Sequence, residues 1–356
     1  MLARRADREA ASVSEPTTRG LDPAWVAEQI GAERATFDGF IGTGQIGRNA
    51  RFSITGHEAT SVVVKVPADD PGVRQIGFDQ GLYPKECLFY REIVDLVEVR
   101  TPRPLAVDID PAAVDFALVL EDMAQSEAGD QFTEATDDDL SLAVEQAARL
   151  HGPTWGAEHA ALQDLRGGDD GRTAMAGILE TFLPMCLDRL DGRLDDDTIP
   201  VLHRFVELAS LWLHREIATE GLVHADFRPD NFLFGRTDDA PPLAVVDWQT
   251  LTIGASVSDV AYLLGAAIDP ARRREVEHDQ LATYRNLLAG YGVEYDAETC
   301  WNEYALASLH GVVVGITATI MATVTERGNN LFALMLNRHA RHAIDVDALD
   351  RLTALA

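Results

Sequence analysis

The chain changes periodicity once along its length. From Ala35 to Met123 apolar residues fall mostly in short runs broken by glycine and proline, and beyond Met123 they recur mainly at helical spacing. "FDGFIGTGQIGRNARFSITG" predicts two strands joined by a glycine-rich turn, and "TSVVVKVP" a buried third strand. "KECLFYREIVDLV" has its apolar residues three and four apart, which predicts a helix from Pro84 to Val97. "RPLAVDID" and "DFALVLEDM" predict two more strands, so five strands and one helix fill this region. A short helix precedes them, opened by Asp22 as cap and Pro23 at the first helical position. Later helices are predicted from Asp137 to His151, from Thr173 to Leu190 and from Asp196 to Glu220, the last closed by Gly221. Two short strands, "NFLFG" and "LAVVDW", interrupt before helices resume at Ser258 and run to the end.

The pattern predicts an α+β fold without internal repeats. Residues 1–20 read as a mobile tail, 21–123 as a β-rich N-terminal lobe and 124–356 as a mainly helical C-terminal lobe, with a strand-to-helix hinge at Glu121 to Met123. An apolar fraction of 46% and a charged fraction of 25% over 356 residues belong to a folded chain and exclude global disorder. The net charge of −28 opposes any polyanion, which excludes nucleic acid and anionic membrane surfaces as partners. Residues 1–20 lack the apolar core of a secretory signal. The longest apolar stretch, Gly311 to Val324, is too short to span a bilayer and holds three threonines. Cys87, Cys186 and Cys300 are far apart and form neither a disulfide framework nor a close zinc-ligand pair. Buried thiols in a reducing cytoplasm are the expectation.

The candidate chemistry is concentrated in "LVHADFRPDNFLFG", where His224, Asp226 and Asn231 make the pattern H-x-D-x-x-x-x-N, followed by Asp247-Trp248-Gln249. That is the spacing of a kinase catalytic loop, in which the aspartate takes or orients the proton of the attacking hydroxyl. An asparagine and a later aspartate are oxygen ligands suited to Mg²⁺. Lys65 ends the apolar run Val62-Val63-Val64, where a strand can present an amine to a cleft. Glu86 and Glu92 lie on the next predicted helix and point in different directions, and the apolar residues around Glu86 favour it as the partner of Lys65. Gly42, Gly44 and Gly47 sit between the first two strands, where glycine lets main-chain N–H groups approach phosphates. A dinucleotide-binding reading fails because the segment leads into a strand, not a helix.

The order of these features resembles the protein-kinase-like superfamily with its bilobal fold, and more narrowly the aminoglycoside phosphotransferase and choline kinase branch. "GQIGRNARFSI", "YPKECLFYREI", "LVLEDM" and "RLHGPTW" look most like the ecdysteroid-kinase-like phosphotransferases. The resemblance covers residues 37–270 and implies ATP and Mg²⁺ as cofactors. It implies that Lys65 holds the α- and β-phosphates beside Glu86, that glycine-loop amides at Gly44 and Gly47 cover them, and that the backbone of Glu121 and Met123 meets the adenine edge. Asp226 is implied to orient the acceptor hydroxyl, Asn231 and Asp247 to hold the metal, and Asp259 to brace the catalytic loop, as His224 does. The sequence departs from its relatives at Ala225, where they usually carry glycine, and at "DWQ", which lacks the glycine that lets the protein-kinase segment flip. Arg228 stands where many protein kinases have lysine and is expected to neutralise the transferring phosphoryl group.

Eleven residues separate Asp247 from Asp259 and no Ala-Pro-Glu follows, which leaves no room for a peptide-docking activation loop. A small-molecule acceptor is therefore expected, with no obligate protein partner, and the resemblance implies that it is a hydroxylated compound, aminoglycoside-, choline- or steroid-like. Two other classes are a catalytically silent nucleotide-binding pseudokinase and a metal-dependent phosphohydrolase built on His203, His214 and His224; the second lacks an adjacent His-Asp pair. Glu303, His310, Glu326, Trp301, Tyr304 and Phe332 are candidates for the acceptor pocket or for the core. ATP is itself a polyanion, so Lys65, Arg228, Mg²⁺ and the glycine-loop amides must make a positive island in a negative field. Runs such as Asp137-Asp138-Asp139 and Asp195-Asp196-Asp197 read as helix starts, where acidic residues complement the helix dipole.

Overall fold

The computed structural model describes residues 18–42 and 46–356, so Gly44 and most of the predicted tail lie outside the described residues. Contacts group the chain into two units. One takes the residues up to Gln75 with Leu105–Glu121, and the other takes Ile76–Pro104 with Asp122–Ala356.

The first unit is built on a five-stranded sheet. Its strands are β1 (Arg34–Ile41), β2 (Gly47–Thr55), β3 (Ser61–Pro67), β4 (Pro104–Asp110) and β5 (Asp115–Glu121), in the order β1-β2-β3-β5-β4. The pairs β1–β2, β2–β3 and β3–β5 are antiparallel, as glycine-punctuated runs of β-branched residues favour. Phe52, Val62, Val64, Ala117 and Val119 pack with Val26 of the helix Pro23–Ile30, whose Asp22 side chain accepts from Ala24 N–H at 2.9 Å. The part of the predicted tail that is described is docked. Arg19–Leu21 form a 3₁₀ turn, Arg19 pairs with Asp108 at 2.9 Å and with Asp110 at 3.1 Å, and Gly20 is buried against Ala117 and Val66, where a Cβ would stand 2.7 Å from each.

The second unit is mainly helical. The helix predicted from Pro84 to Val97 is three pieces: α-helix over Leu82–Leu88, a π-helical turn over Phe89–Ile93 and a 3₁₀ turn over Val94–Leu96. A further helix, Pro71–Asp79, begins in the first unit, so the β-rich region holds more helix than its pattern predicted. The π turn carries Phe89 flat against Trp248, with ring centroids 3.9 Å apart and planes 8° from parallel. Phe89 and Trp248 both lie in this second unit.

Three acidic residues open the helix Asp137–His151, where Thr136 and Asp139 form a reciprocal capping box. The helix read from Asp196 to Glu220 is shorter, Thr198–His214, and Gly221 does not cap it. Gly221 lies in a strand, and the strands of this unit are β6 (Ser126–Ala128), β7 (Glu220–Val223), β8 (Phe232–Gly235), β9 (Leu243–Val245) and β10 (Thr252–Ala255). β7 pairs with β10, and a Cβ on Gly221 would meet Ser256 Oγ at 2.4 Å, so the glycine is a close-approach residue. β6, β8 and β9 form a second small sheet.

The stretch Ala297–Met321 is long and apolar enough to cross a membrane by length and composition, yet 61% of its apolar 18-residue window is buried within the fold. It packs closely, since a Cβ on Gly311 or Gly315 would meet His339 at 2.1 Å or Leu336 at 2.5 Å. His339 and His342, on the helix Glu326–Asp345, are wholly buried. Burial, aided by the charge of Arg273, holds His342 well below the ordinary imidazole range, and burial with neighbouring cations pushes His339 down to about 3.

Both rings are therefore neutral when folded, whereas the unfolded chain protonates them below pH ~6.5. Their contribution to stability is present above that pH and is lost as pH falls, by up to about 2.7 kcal/mol per pH unit for the pair. Urea denaturation at pH 7 and pH 5 is expected to show this loss, with His342→Gln reducing it. Equal acid sensitivity in the variant would remove the histidines as its cause.

Candidate active site

The loop between β7 and β8 is shaped by one buried carboxylate. Asp259 sits in the first turn of the helix Ser258–Ala267 with no solvent exposure. Its Oδ2 accepts the main-chain N–H of His224 at 2.8 Å and its Oδ1 that of Ala225 at 3.0 Å. His151 Nε2 lies 3.1 Å from Oδ2. Burial alone would raise the Asp259 carboxyl, but the His151 hydrogen bond, electrostatic attraction to the His151 and His224 rings and the His224 main-chain N–H outweigh it and hold the group below its ordinary value. The bracing role implied for Asp259 thus has a geometric counterpart in two consecutive loop amides.

His224 is fully buried and turned inward. Its Nδ1 accepts the Asp226 N–H at 3.2 Å, so its Nε2 carries the proton that it donates to Val246 O at 3.0 Å. Ala225 has φ of 64°, the left-handed region in which a Cβ is unfavourable. Its carbonyl accepts from His310 Nε2 at 2.8 Å, and Thr250 Oγ1 donates to His224 O at 2.8 Å. His310, half-buried at the start of His310–Met321, is lowered by burial from the ordinary imidazole range and acts as a neutral donor.

At the loop's tip, Asp226 is the focus of three donors. Arg228 Nε reaches its Oδ1 at 2.9 Å, Tyr262 OH reaches the same oxygen at 3.1 Å, and Asn231 Nδ2 reaches Oδ2 at 2.8 Å. Asn231 Nδ2 also donates to Asp226 O at 2.8 Å. Both partners can only accept, which fixes the amide orientation and leaves Asn231 Oδ1 outside these bonds. Arg228 is clamped a second time, by Asp230 at 2.6 Å. Burial would lower its guanidinium, but the charges of Asp226 and Asp230 more than offset that and raise it.

Asp247 also has left-handed backbone, with φ of 69°, at the start of the 3₁₀ turn Trp248–Thr250. Its neighbour Val246 donates its N–H to Asn231 O at 3.0 Å, so the two predicted metal ligands are tied by main chain. Trp248 fixes the turn from the other side: it is wholly buried, donates Nε1–H to Thr101 Oγ1 at 2.9 Å and stacks on Phe89. The residues from Trp248 to Ser258 are taken up by this turn and by β10, as the short spacing led one to expect.

Of the other predicted residues, Glu86 lies on Leu82–Leu88 and is 1% exposed, whereas Glu92 is exposed. Lys65 is buried on β3, opposite Asn49 of β2. Gly47 lies close beside it, where a Cβ would stand 3.3 Å from Lys65 Cε and 3.2 Å from Val66 O, a tight fit. Gly42 has φ of 71°, which suits glycine in the turn after β1. Glu121 ends β5 opposite Val62, and Met123 follows in the other unit, its carbonyl accepting from Ser126 N–H at 2.9 Å. His203 and His214 lie on Thr198–His214 and are exposed, unlike His224, and no cluster of three or more His, Cys, Asp or Glu suited to a metal occurs among the described residues. Of the acceptor candidates, Tyr304 and Phe332 are buried, and Glu303 bonds the Ala218 N–H at 2.8 Å and the Tyr295 hydroxyl at 2.7 Å, which places all three in the framework. Sequence reasoning missed Tyr262 and His151. The one available signal for Tyr262 was its place three residues after Asp259, on the same helix face.

The model of the family described as "Phosphotransferase enzyme family" matches residues 41–297. Among solved structures, a choline kinase from Cryptosporidium parvum is similar with a TM-score of 0.54 at 12% identity, over 94% of this chain and 96% of that one. Amicoumacin kinase, in complex with AMP-PNP, Ca²⁺ and Ami, gives a TM-score of 0.52 at 16% identity, over 85% and 87%. Acyl-CoA dehydrogenase family member 10 of Mus musculus is 41% identical over 68 residues, which are 19% of this chain and 6% of that protein. The chain thus spans a small part of the curated relatives it matches.

The left-handed Ala225 yields a direct expectation. Ala225→Gly relieves about 1–2 kcal/mol of strain and adds about 0.4–1 kcal/mol of unfolded-state entropy, a net gain near ~0.5–1 kcal/mol. Calorimetry is expected to show a small rise in Tm; a lower Tm would mean that the alanine methyl makes a packing contribution larger than its strain.

Proposed function

The chain belongs to the phosphotransferase enzyme family, and we propose that it transfers the γ-phosphoryl group of ATP to a hydroxyl of a small organic acceptor. The observation that carries this reading is the tip of the loop, where one carboxylate is oriented by three donors beside a tied pair of hard-oxygen ligands. Asp226 accepts and orients the acceptor O–H. Lys65 and Glu86, the amides at Gly44 and Gly47, and the backbone of Glu121 and Met123 take the nucleotide roles that the resemblance implies.

The metal ligands fit a hard cation. Asn231 keeps its carbonyl oxygen outside its bonds to Asp226, and Asp247 supplies a carboxylate one residue beyond the Val246 tie. Asn231 and Asp247 would hold a Mg²⁺ ion, which would supply charge neutralisation at the transferred phosphates. Arg228 contributes in the same sense through Nη2, the part of its guanidinium not bound to Asp226 or Asp230. Catalysis on this reading is positioning and charge neutralisation more than proton abstraction. The amicoumacin kinase structure, which holds a non-hydrolysable ATP analogue, supports nucleotide use by analogy of fold.

Asp226→Ala and Asp247→Ala are each expected to lower acceptor-dependent ADP release by more than ~10³-fold. The measurement is a coupled ADP assay over a panel of hydroxylated metabolites: aminoglycosides, amino alcohols, sterols and polyketide alcohols. An Asp247→Ala enzyme with wild-type turnover would sink the assignment. Magnesium-dependent ATP binding without any acceptor-coupled turnover would instead favour the silent, nucleotide-binding reading.

A further inference from the structure

Tyr262 is wholly buried and held from two sides. His339 stacks parallel to its ring, with centroids 5.0 Å apart and planes 6° from parallel, and His310 meets it edge-on at 5.3 Å. The place of His339 is itself set by small neighbours, because a Cβ on Gly265 would stand 2.5 Å from it and one on Gly311 2.1 Å. Burial, with the charge of Asp226 next, pushes the Tyr262 phenol well above its ordinary range, so it remains a fixed O–H donor.

A carboxylate has about four lone-pair sites, two on each oxygen. On Asp226, Oδ1 has both filled, by Arg228 Nε at 2.9 Å and by Tyr262 OH at 3.1 Å. Oδ2 has one filled, by Asn231 Nδ2 at 2.8 Å. One site, on Oδ2, remains for a substrate. Resting on the phosphotransferase reading, we infer that Tyr262 is a positioning residue that ties down Oδ1, so that Oδ2 alone meets the acceptor hydroxyl. In the reaction the acceptor O–H proton passes to Oδ2 as the acceptor oxygen forms its bond to the γ-phosphorus. The bond from that phosphorus to the β–γ bridging oxygen breaks, and its electron pair leaves with ADP. Without the tyrosine hydroxyl the carboxylate gains a second orientation with a free Oδ1 site, and only a fraction of molecules presents the productive oxygen.

Tyr262→Phe keeps the ring between the two histidines and removes only the hydroxyl. With Mg²⁺-ATP and an acceptor from the panel, kcat is expected to fall roughly 10- to 100-fold while KM for ATP stays within about two-fold of wild type. Crystal structures of both proteins are expected to show the Asp226 carboxylate turned in the variant. An unchanged kcat, a parallel loss of ATP affinity, or loss of the fold would each overturn the inference, because the hydroxyl would then be idle or purely structural. If the wild type turns over no acceptor, the phosphotransferase reading fails on its own. The pair of crystal structures then decides the positioning claim, which an unmoved Asp226 carboxylate would refute.

Discussion

The loop between β7 and β8 depends on a carboxylate that cannot reach water. A buried, ionised aspartate is tolerated only when its oxygens are filled by donors. Asp259 meets that demand with two successive loop amides and His151. The demand and the loop's shape are one constraint. Two adjacent N–H groups reach one carboxylate here because the chain turns sharply at Ala225, and that turn needs a left-handed residue. The strain at Ala225 is thus offset by hydrogen bonds to a charge that would otherwise be orphaned. The same turn places Asp226 at the surface end of the loop while His224 stays inside.

A second constraint is aromatic. Trp248 follows Asp247 directly, so fixing the indole fixes the backbone that carries the Asp247 carboxylate. Phe89, Thr101 and His224 surround it, and Phe89 belongs to the helical segment that carries Glu86. In a segment without glycine this arrangement makes a single rigid state the economical one: turning the tryptophan out exposes a large apolar ring and leaves its N–H without Thr101.

How far the sequence could be read follows from how local each signal is. The H-x-D-x-x-x-x-N spacing is a contiguous pattern, and the structure brings Asp226 and Asn231 into direct hydrogen bonding, with Asp247 tied alongside. The helix Asp137–His151 was legible at both ends because Thr136, the acidic first turn and the apolar period agree. Gly221 misled because glycine serves equally as a helix cap and as a close-approach residue, and only Ser256, distant in sequence, decides between them. The π turn at Phe89–Ile93 was invisible because its apolar spacing matches an α-helix; the shift in hydrogen bonding answers to Trp248, from another part of the chain. Gly20 and Arg19 looked like tail because polar, small residues also fit a disordered end, yet Asp108 and Asp110 hold Arg19 and Gly20 packs against Ala117 and Val66.

Tyr262 shows why the chemistry of a site is harder to read than its motif. Its type and spacing fit an ordinary core aromatic, and most of its ring is that: it packs between two neutral histidines in an apolar helix bundle. Only the phenol oxygen belongs to the site. The same division applies to charge. A net charge of −28 says little about phosphate binding, because the cationic groups near Asp226 are already committed. Arg228 is balanced by two carboxylates, so the immediate loop carries no excess positive charge of its own. On the proposed reading, a triphosphate beside this loop draws its neutralising charge mainly from Lys65 and from a cation that Asn231 and Asp247 would hold, and only in small part from the loop itself.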